Sequence, residues 1–411
     1  MNNLSQRNQA ERRFKTYGFL AVLVAITFLF VLLFNIFSTG ISAFKASYIG
    51  VNINLPAQSE RSDINPRKEF KRQVYEMFPQ VTTRSDKRNL MSLFSKGAVY
   101  EFEELLENSN KEDINGYHWF LAHADVDMYI KGTVERQGNE AGRINPSRMQ
   151  YVDVLVEQNL IKLQANQYLL HSADSREPEL AGIKGAIIGS FYAILIAFIV
   201  SFPLGVLSAL YMEKIALKNK FSNTIETNIN NLAAVPSIVF GLLGLAIFLN
   251  FFSLPRSAPL VGGLTLAVMT LPTIVIAARS AIKSVPPSIE EASIGLGASR
   301  IQTLLNFTLP LAMPGIMTGT IIGIARALGE TAPLLMIGMV AFVVDVPGTP
   351  LDPSTALPVQ IFLWADSPER AFVERTSAAI MVLLIFLVLL NLLAIYSVSY
   401  THLRAHETCT N

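Results

Sequence analysis

The sequence predicts an all-α membrane protein, with six membrane-spanning helices and one polar domain inserted between the first and the second. Two observations carry this. Six apolar stretches, at 18–37, 184–210, 231–252, 259–281, 311–341 and 377–397, reach the roughly 20 residues that a helix needs to cross a hydrocarbon core of about 30 Å. In addition, 37 of the 65 charged residues fall between positions 41 and 180, which leaves the rest charge-poor in the manner of membrane sequence. The net charge of +1 gives no reason to expect nucleic acid as a partner. The single cysteine, Cys409, excludes an intrachain disulfide and any multi-cysteine metal site.

Residues 1–40 hold the N-terminus and the first span. Arg7, Arg12, Arg13 and Lys15 precede it, opposed only by Glu11. Basic flanks stay on the cytoplasmic side, so the N-terminus is expected there. Alternating crossings then put Lys214, Lys218 and Lys220 in one cytoplasmic loop, and Lys283 and Arg300 in another. The turn around Arg256 and the loop 342–376 fall outside, and both chain ends fall inside. Ser38, Thr39 and Gly40 supply the small residues of a signal-peptide cleavage site. The apolar core is longer than such peptides carry, so an uncleaved anchor is expected.

Residues 41–180 lack any membrane-length run and have the size of one domain. This topology places them in the periplasm. Their 17 basic and 20 acidic residues nearly balance, so no strong field marks a ligand. Apolar spacing of three and four residues predicts helices within Arg88–Leu106 and Met149–Leu170, and so a mostly helical domain. The reading expected is a docking or structural domain. His118, His123 and His171 are isolated and read as surface or core residues, since metal ligands need convergent partners.

Residues 181–397 form the membrane core, and the loop 285–310 within it carries the most specific signal. Pro286 and Pro287 interrupt the preceding helix. Ser288 and Glu291 have capping-box spacing and predict a new short helix, which Gly295 and Gly297 would end or bend. A second amphipathic stretch with Ile301, Leu304, Leu305 and Phe307 runs to Pro310. The physics alone describes a helix–turn–helix at the membrane surface. Glu291-Ala292-Ser293, then Gly297, Phe307 and Leu309-Pro310 resemble the coupling loop of binding-protein-dependent ABC permeases at every spacing. Serine replaces the third alanine and phenylalanine an isoleucine, and both changes are mild. The resemblance implies a type I ABC importer permease whose loop docks on a separate ATPase through Glu291, Ala292, Ser293 and Gly297. The chain has no Walker A sequence, so ATP and Mg would belong to that partner, and no cofactor is expected on this chain.

The fifth span holds Arg326 and Glu330 in apolar sequence. Ionisable groups at membrane depth face protein or water rather than lipid. Four residues apart, they are expected on one helix face. Gly315, Gly319 and Gly323 form a small-residue stripe within the same arc, a helix-packing pattern. Two readings stand on this geometry: a substrate pathway or a structural ion pair that locks the bundle. Arg326-Ala327-Leu328-Gly329-Glu330-Thr331-Ala332-Pro333-Leu334-Leu335 is similar to the signature of phosphate permeases of the PstA type, as is Ala233–Gly244 with Pro236 and Gly241. The likeness covers about 181–397, and in it the arginine and glutamate are tied to phosphate passage.

The resemblance implies half of a pore, completed by a PstC-type permease, two ATPase subunits and a periplasmic phosphate-binding protein, in the bacterial inner membrane. Other oxyanions such as sulfate or molybdate, and a membrane sensor with 41–180 as its ligand domain, are the alternatives weighed. Residues 398–411 look similar to a translated adapter or vector junction and read as a non-native tail, so the natural C-terminus is expected to be missing. His402, His406 and Cys409 in it are too few, on too short a segment, for a zinc site.

Overall fold

The computed structural model describes residues 2–55, 65–108, 115–133, 146–217, 219–340 and 342–407. Lys218 and Cys409 lie outside the described residues. The chain divides into two compact units, Met1–Asn166 with Glu369–Met381, and Gln167–Pro368 with Val382–Asn411.

The first unit begins with α1 (Asn2–Ser42), whose apolar surface, from Phe14 to Phe34, is exposed. It continues with β1 (Lys45–Ile53), α2 (Pro66–Glu76), α3 (Arg84–Met91), α4 (Gly97–Asn108), β2 (Gly116–Leu121), α5 (Ala124–Ile130), α6 (Pro146–Glu157) and β3 (Ile161–Ala165). The strands make an antiparallel sheet in the order β2-β1-β3, with Ile49 opposite both Phe120 and Ile161. The core gathers Ile49, Val51 and Ile53 against Phe70, Phe94, Phe102 and Phe120. The Phe70 and Phe120 rings meet edge-on at 5.0 Å, a favoured aromatic geometry. His123 caps α5, accepting from the Asp125 N–H.

Helices outweigh strands in this unit, and the three-stranded sheet was not expected. The stretch Met149–Leu170 is not one helix. Asn159, with φ +54°, ends the run after α6, and Ile161–Ala165 turns into an edge strand. The unit also ends at Asn166 rather than 180, and takes in the first turns of the last helix.

The second unit holds α7 (Gln167–His171), α8 (Lys184–Leu210), α9 (Lys220–Ala233), α10 (Ser237–Gly244), α11 (Pro259–Ser284), α12 (Pro287–Gly295), α13 (Arg300–Thr303), α14 (Leu309–Leu328), α15 (Ala332–Met336), α16 (Leu357–Ala365) and most of α17 (Ala371–Glu407). Its helices α8 and α11 lie side by side and run the same way. A Cβ added at Gly263 would lie 2.6 Å from the Ala193 carbonyl near their beginnings, and one at Gly205 2.6 Å from Ile274 Cγ2 near their ends. At the end opposite α12 the loops knit together: the Leu260 N–H donates to the Pro350 carbonyl at 2.9 Å, and Ser257 Oγ to the Gly338 carbonyl at 2.6 Å.

Among the described residues, five helices are long and apolar enough to cross a membrane: Arg7–Ser42, Lys184–Ile215, Pro259–Ser284, Arg300–Leu328 and Ala371–Leu393. The third apolar stretch is broken instead: Lys220–Ala233 and Ser237–Phe251 meet at 102°. Pro236 at the break has no N–H to continue the helical ladder. The fifth helix stops at Leu328 rather than running to 341, where Gly329 caps it and Pro333 opens a new short turn. The last helix, expected to end near Tyr396, runs to Glu407.

Candidate functional site

Two places in the second unit gather the residues that the sequence marks. The first is built on the contact between α14 and α11. The glycine stripe of α14 faces α11: an added Cβ would meet Ala281 Cβ at 2.8 Å from Gly315 and Ala277 Cβ at 2.2 Å from Gly319, and would lie 3.6 Å from Thr273 at Gly323. At Gly315 and Gly319 the two backbones therefore approach more closely than any larger residue allows, whereas at Gly323 an added methyl would make only ordinary contact.

One turn beyond Gly323, Arg326 opens onto a cleft. Ser237 and Phe240 of α10, Met269, Thr270 and Thr273 of α11, and Gly323 line it too. The Arg326 side chain is 67% exposed, with Nε 3.6 Å from Glu330 Oε1. The two charges are paired, yet they do not share a helix face as the four-residue spacing predicts. The helix ends at Leu328, and Glu330 sits in the turn that follows, where Gly329 and Glu330 donate to the Arg326 and Ala327 carbonyls.

The chemistry of this cleft suits an oxyanion. A guanidinium presents a planar fork of donors that matches two oxygens at once. Ser237 and Thr273 add neutral hydroxyls, and the first N–H groups of α10 have no partner within the helix. Thr270 already donates to the Leu266 carbonyl at 2.9 Å, so its hydroxyl is left as an acceptor. Sequence reasoning missed Ser237, Thr270 and Thr273. They reach the cleft from two helices distant in sequence, Ser237 from α10 and the two threonines from α11, and only the break at Pro236 hinted that Ser237 starts a helix.

The second place is the loop after α11. Val285 and Pro286 are extended and form a joint before α12. Glu291 and Ala292 are exposed on α12, whereas Ser293 is buried with its hydroxyl against Thr303. Gly297 adopts φ +92°, which a glycine takes without the Cβ clash other residues suffer. Gly297 and Ala298 donate to the Ile294 and Ser293 carbonyls, closing the turn.

The expected capping box at Ser288 and Glu291 is not formed. Pro287 already occupies the first helical position and Pro286 the cap, so Ser288 lies inside the helix. The box forms one element later, where Ser299 and Gln302 cap α13 reciprocally. Ile294 and Ile301 are exposed, and Leu296 is 90% exposed, so the outer face of the loop is apolar.

A charged cluster that the sequence did not single out lies beside this loop. The π turn Tyr211–Ile215 ends α8 and carries Glu213 and Lys214. Arg279 of α11 reaches Glu213 at 2.5 Å and Glu226 of α9 at 3.0 Å, and Lys283 reaches Glu213 at 3.4 Å. Lys214 pairs with Glu290 of α12, whose Oε1 also accepts from Thr308 Oγ1 at 3.1 Å.

Residues 201–405 match the family described as the binding-protein-dependent transport system inner membrane component, and residues 1–140 match a domain of unknown function, DUF3333. The chain is 39% identical over 155 residues to the probable ABC transporter permease protein YqgI of Bacillus subtilis (strain 168), covering 38% of this chain and 52% of that protein. The match thus spans about half the length of that relative. The phosphate transport system permease protein PstA of Yersinia pestis is 30% identical over 213 residues, 52% of this chain and 71% of that protein. Among solved structures, an inward-facing conformation of the MetNI methionine ABC transporter aligns with a TM-score of 0.42 at 19% identity, over 53% of this chain and 94% of that one.

Proposed function

We propose that this chain, which belongs to the PstA family of phosphate transport permeases, is half of the pore of an ATP-driven importer that moves inorganic phosphate into the cell. The observation that carries this reading is Arg326, a permanent cation opening onto a cleft lined by Ser237 and Thr273 hydroxyls. A phosphate oxyanion entering the cleft takes two oxygens to the guanidinium and finds further donors nearby. Glu330, 3.6 Å away, competes for the same guanidinium, so the anion is held briefly and released. Conduction needs such weak holding, because tight binding stalls the next step.

The remaining parts follow from the same reading. A PstC-type permease completes the pore, and a periplasmic phosphate-binding protein delivers the anion. ATP and Mg act on a separate ATPase dimer. Its surface is met by the exposed face of α12 and the turn after it, with Glu291, Ala292, Ile294, Leu296 and Gly297 outermost. Ser293 holds that face from within. The stripe Gly315, Gly319 and Gly323 seats α14, and hence Arg326, on α11. The N-terminus is cytoplasmic in the bacterial inner membrane, and residues 41–180 form a periplasmic domain with a docking or structural role.

The test is ATP-dependent phosphate uptake in vesicles carrying the native chain or Arg326→Gln with its partner subunits, with sulfate as competitor. Uptake indifferent to sulfate and lost in the variant is expected. Equal uptake in both would return Arg326 to a structural role. An assembled complex that moves no phosphate would sink the cargo.

A further inference from the structure

Helix α12 follows α11 through Val285-Pro286 and leads through the Gly297 turn, α13 and Leu304–Thr308 into α14. Val285 and Pro286 are extended, and Pro286 donates no hydrogen bond, so no continuous helical ladder runs from α11 into α12. Ser293 against Thr303 ties α12 to the segment before α14, and the π turn at the end of α8 also braces it. Two consecutive residues of that turn point in different directions. Glu213 grips Arg279 of α11 and, through it, Glu226 of α9, while Lys214 grips Glu290 of α12. Arg279 and Glu213 are about nine-tenths covered, at 10% and 11% side-chain exposure, so this half is fixed in the body. Lys214 and Glu290 are more open at 20% each, and Thr308 Oγ1 adds a second hold on Glu290 from the segment leading into α14.

Resting on the reading above, we propose that Glu213 and Lys214 form a side-chain relay that carries movement of the ATPase-docking helix α12 to the helices α8, α9 and α11. The covalent path and the Ser293–Thr303 contact link α12 towards α14, whereas the Lys214–Glu290 pair links it to the end of α8. With the ion pair in place, a push on the outer face of α12 turns the π turn and the Arg279 cluster with it. Without the pair, the push still reaches α14 but loses this hold on α8 and, through Arg279, on α9 and α11. Glu290 is thus a positioning residue, although its neighbour Glu291 carries the sequence signature.

The experiment uses the full complex in vesicles and reads phosphate moved per ATP hydrolysed. Lys214→Met keeps the aliphatic stem and removes the charge. Its expected result is retained ATPase assembly and hydrolysis with a transport-to-hydrolysis ratio lowered about two- to thirtyfold, the range over which mutations along coupling networks act. Lys214→Arg, and the exchange Lys214→Glu with Glu290→Lys, are expected to restore the ratio. A native ratio in Lys214→Met, or loss of ATPase binding in that variant, would overturn the relay.

A second readout does not depend on the cargo. Nitroxide labels at Ser288 and Asn223, in a Cys409→Ser background, report whether ATP changes the separation of α12 and α9. The relay predicts that Lys214→Met alters the ATP response seen in the native chain, and an identical response in both would reject it. A complex that shows this difference yet moves no phosphate would sink the cargo assignment and leave the relay standing.

Discussion

An added Cβ on Gly319 would sit 2.2 Å from the Cβ of Ala277, a separation that no pair of real side chains adopts. Gly319→Ala therefore forces α14 away from α11, and overpacking of this kind costs about 1–3 kcal/mol. At Gly323 the nearest atom would be 3.6 Å away, an ordinary contact. Gly323→Ala is expected to be neutral, or to gain up to about 1 kcal/mol of helix propensity. Thermal unfolding in detergent separates the two, and equal shifts would reject the close contact as drawn.

Glu330→Gln removes the partner of Arg326. The pair is 3.6 Å apart with a largely exposed arginine, so stability should change by less than about 1 kcal/mol. Transport should change more. Without a competing carboxylate the guanidinium holds the anion longer, so KM for phosphate and kcat both fall. Uptake kinetics in vesicles check this, and unchanged values would deny Glu330 any part in release.

Asp174 has its carboxyl pushed above the usual carboxylate range by burial, although Trp364 Nε1 donates to it at 2.9 Å and the Ser175 N–H at 2.9 Å lowers it in part. A raised folded-state value means that the folded chain holds the proton more tightly than the unfolded chain. The stabilisation is then complete below the ordinary value of about 3.9 and is lost as pH rises through the raised value. Asp174→Asn keeps an oxygen for Trp364 and has no charge to bury. As pH rises from the ordinary value through the raised one, its melting temperature should vary less than the native protein's, and parallel pH curves would refute the buried charge.

Gly297 has φ +92°, where a side chain is strained, whereas Gly295 is helical with nothing within 4 Å of an added Cβ. Gly297→Ala should cost about 1–2 kcal/mol in the turn and weaken binding of the partner ATPase. Gly295→Ala should leave binding intact. Affinity measured by pull-down titration distinguishes them, and equal weakening would point to the added methyl on the surface rather than the backbone.

Much of the membrane core was legible because length and hydropathy are additive along the chain, so the stretches around α8, α11 and α17 stand out unaided. Breaks are not additive. Pro236 and Pro333 interrupt apolar sequence without changing its average. Pro236 with Gly241 allowed a bend but did not fix its sharpness, and the end of α14 before Pro333 was missed for that reason. In the first unit, β3 is five residues long and follows α6 so closely that its apolar positions blend into the helical period. The charges of Arg326 and Glu330 were conspicuous in apolar surroundings. Ser237, Thr273 and the Glu213–Arg279 contact were not, since each depends on which helix lies beside which. The capping box was misplaced by one element because Ser288 and Ser299 both have suitable partners three residues on, and only the proline at the first helical position decides between them.

The parallel course of α8 and α11 fixes a parity. Two consecutive long helices that point the same way require an odd number of returns between them, whatever path the intervening chain takes. Residues 237–251 would extend only about 22 Å at 1.5 Å per residue, so the bent segment cannot make the return as helix alone. The irregular chain that completes it is tied at its ends: Leu254 donates to the Phe248 carbonyl, the Ser257 carbonyl accepts from Ser354, and Ala258 is buried, whereas Phe251 and Phe252 between α10 and this anchor are exposed. The direction in which α11 and the helices after it run therefore depends on this short non-helical stretch completing the return.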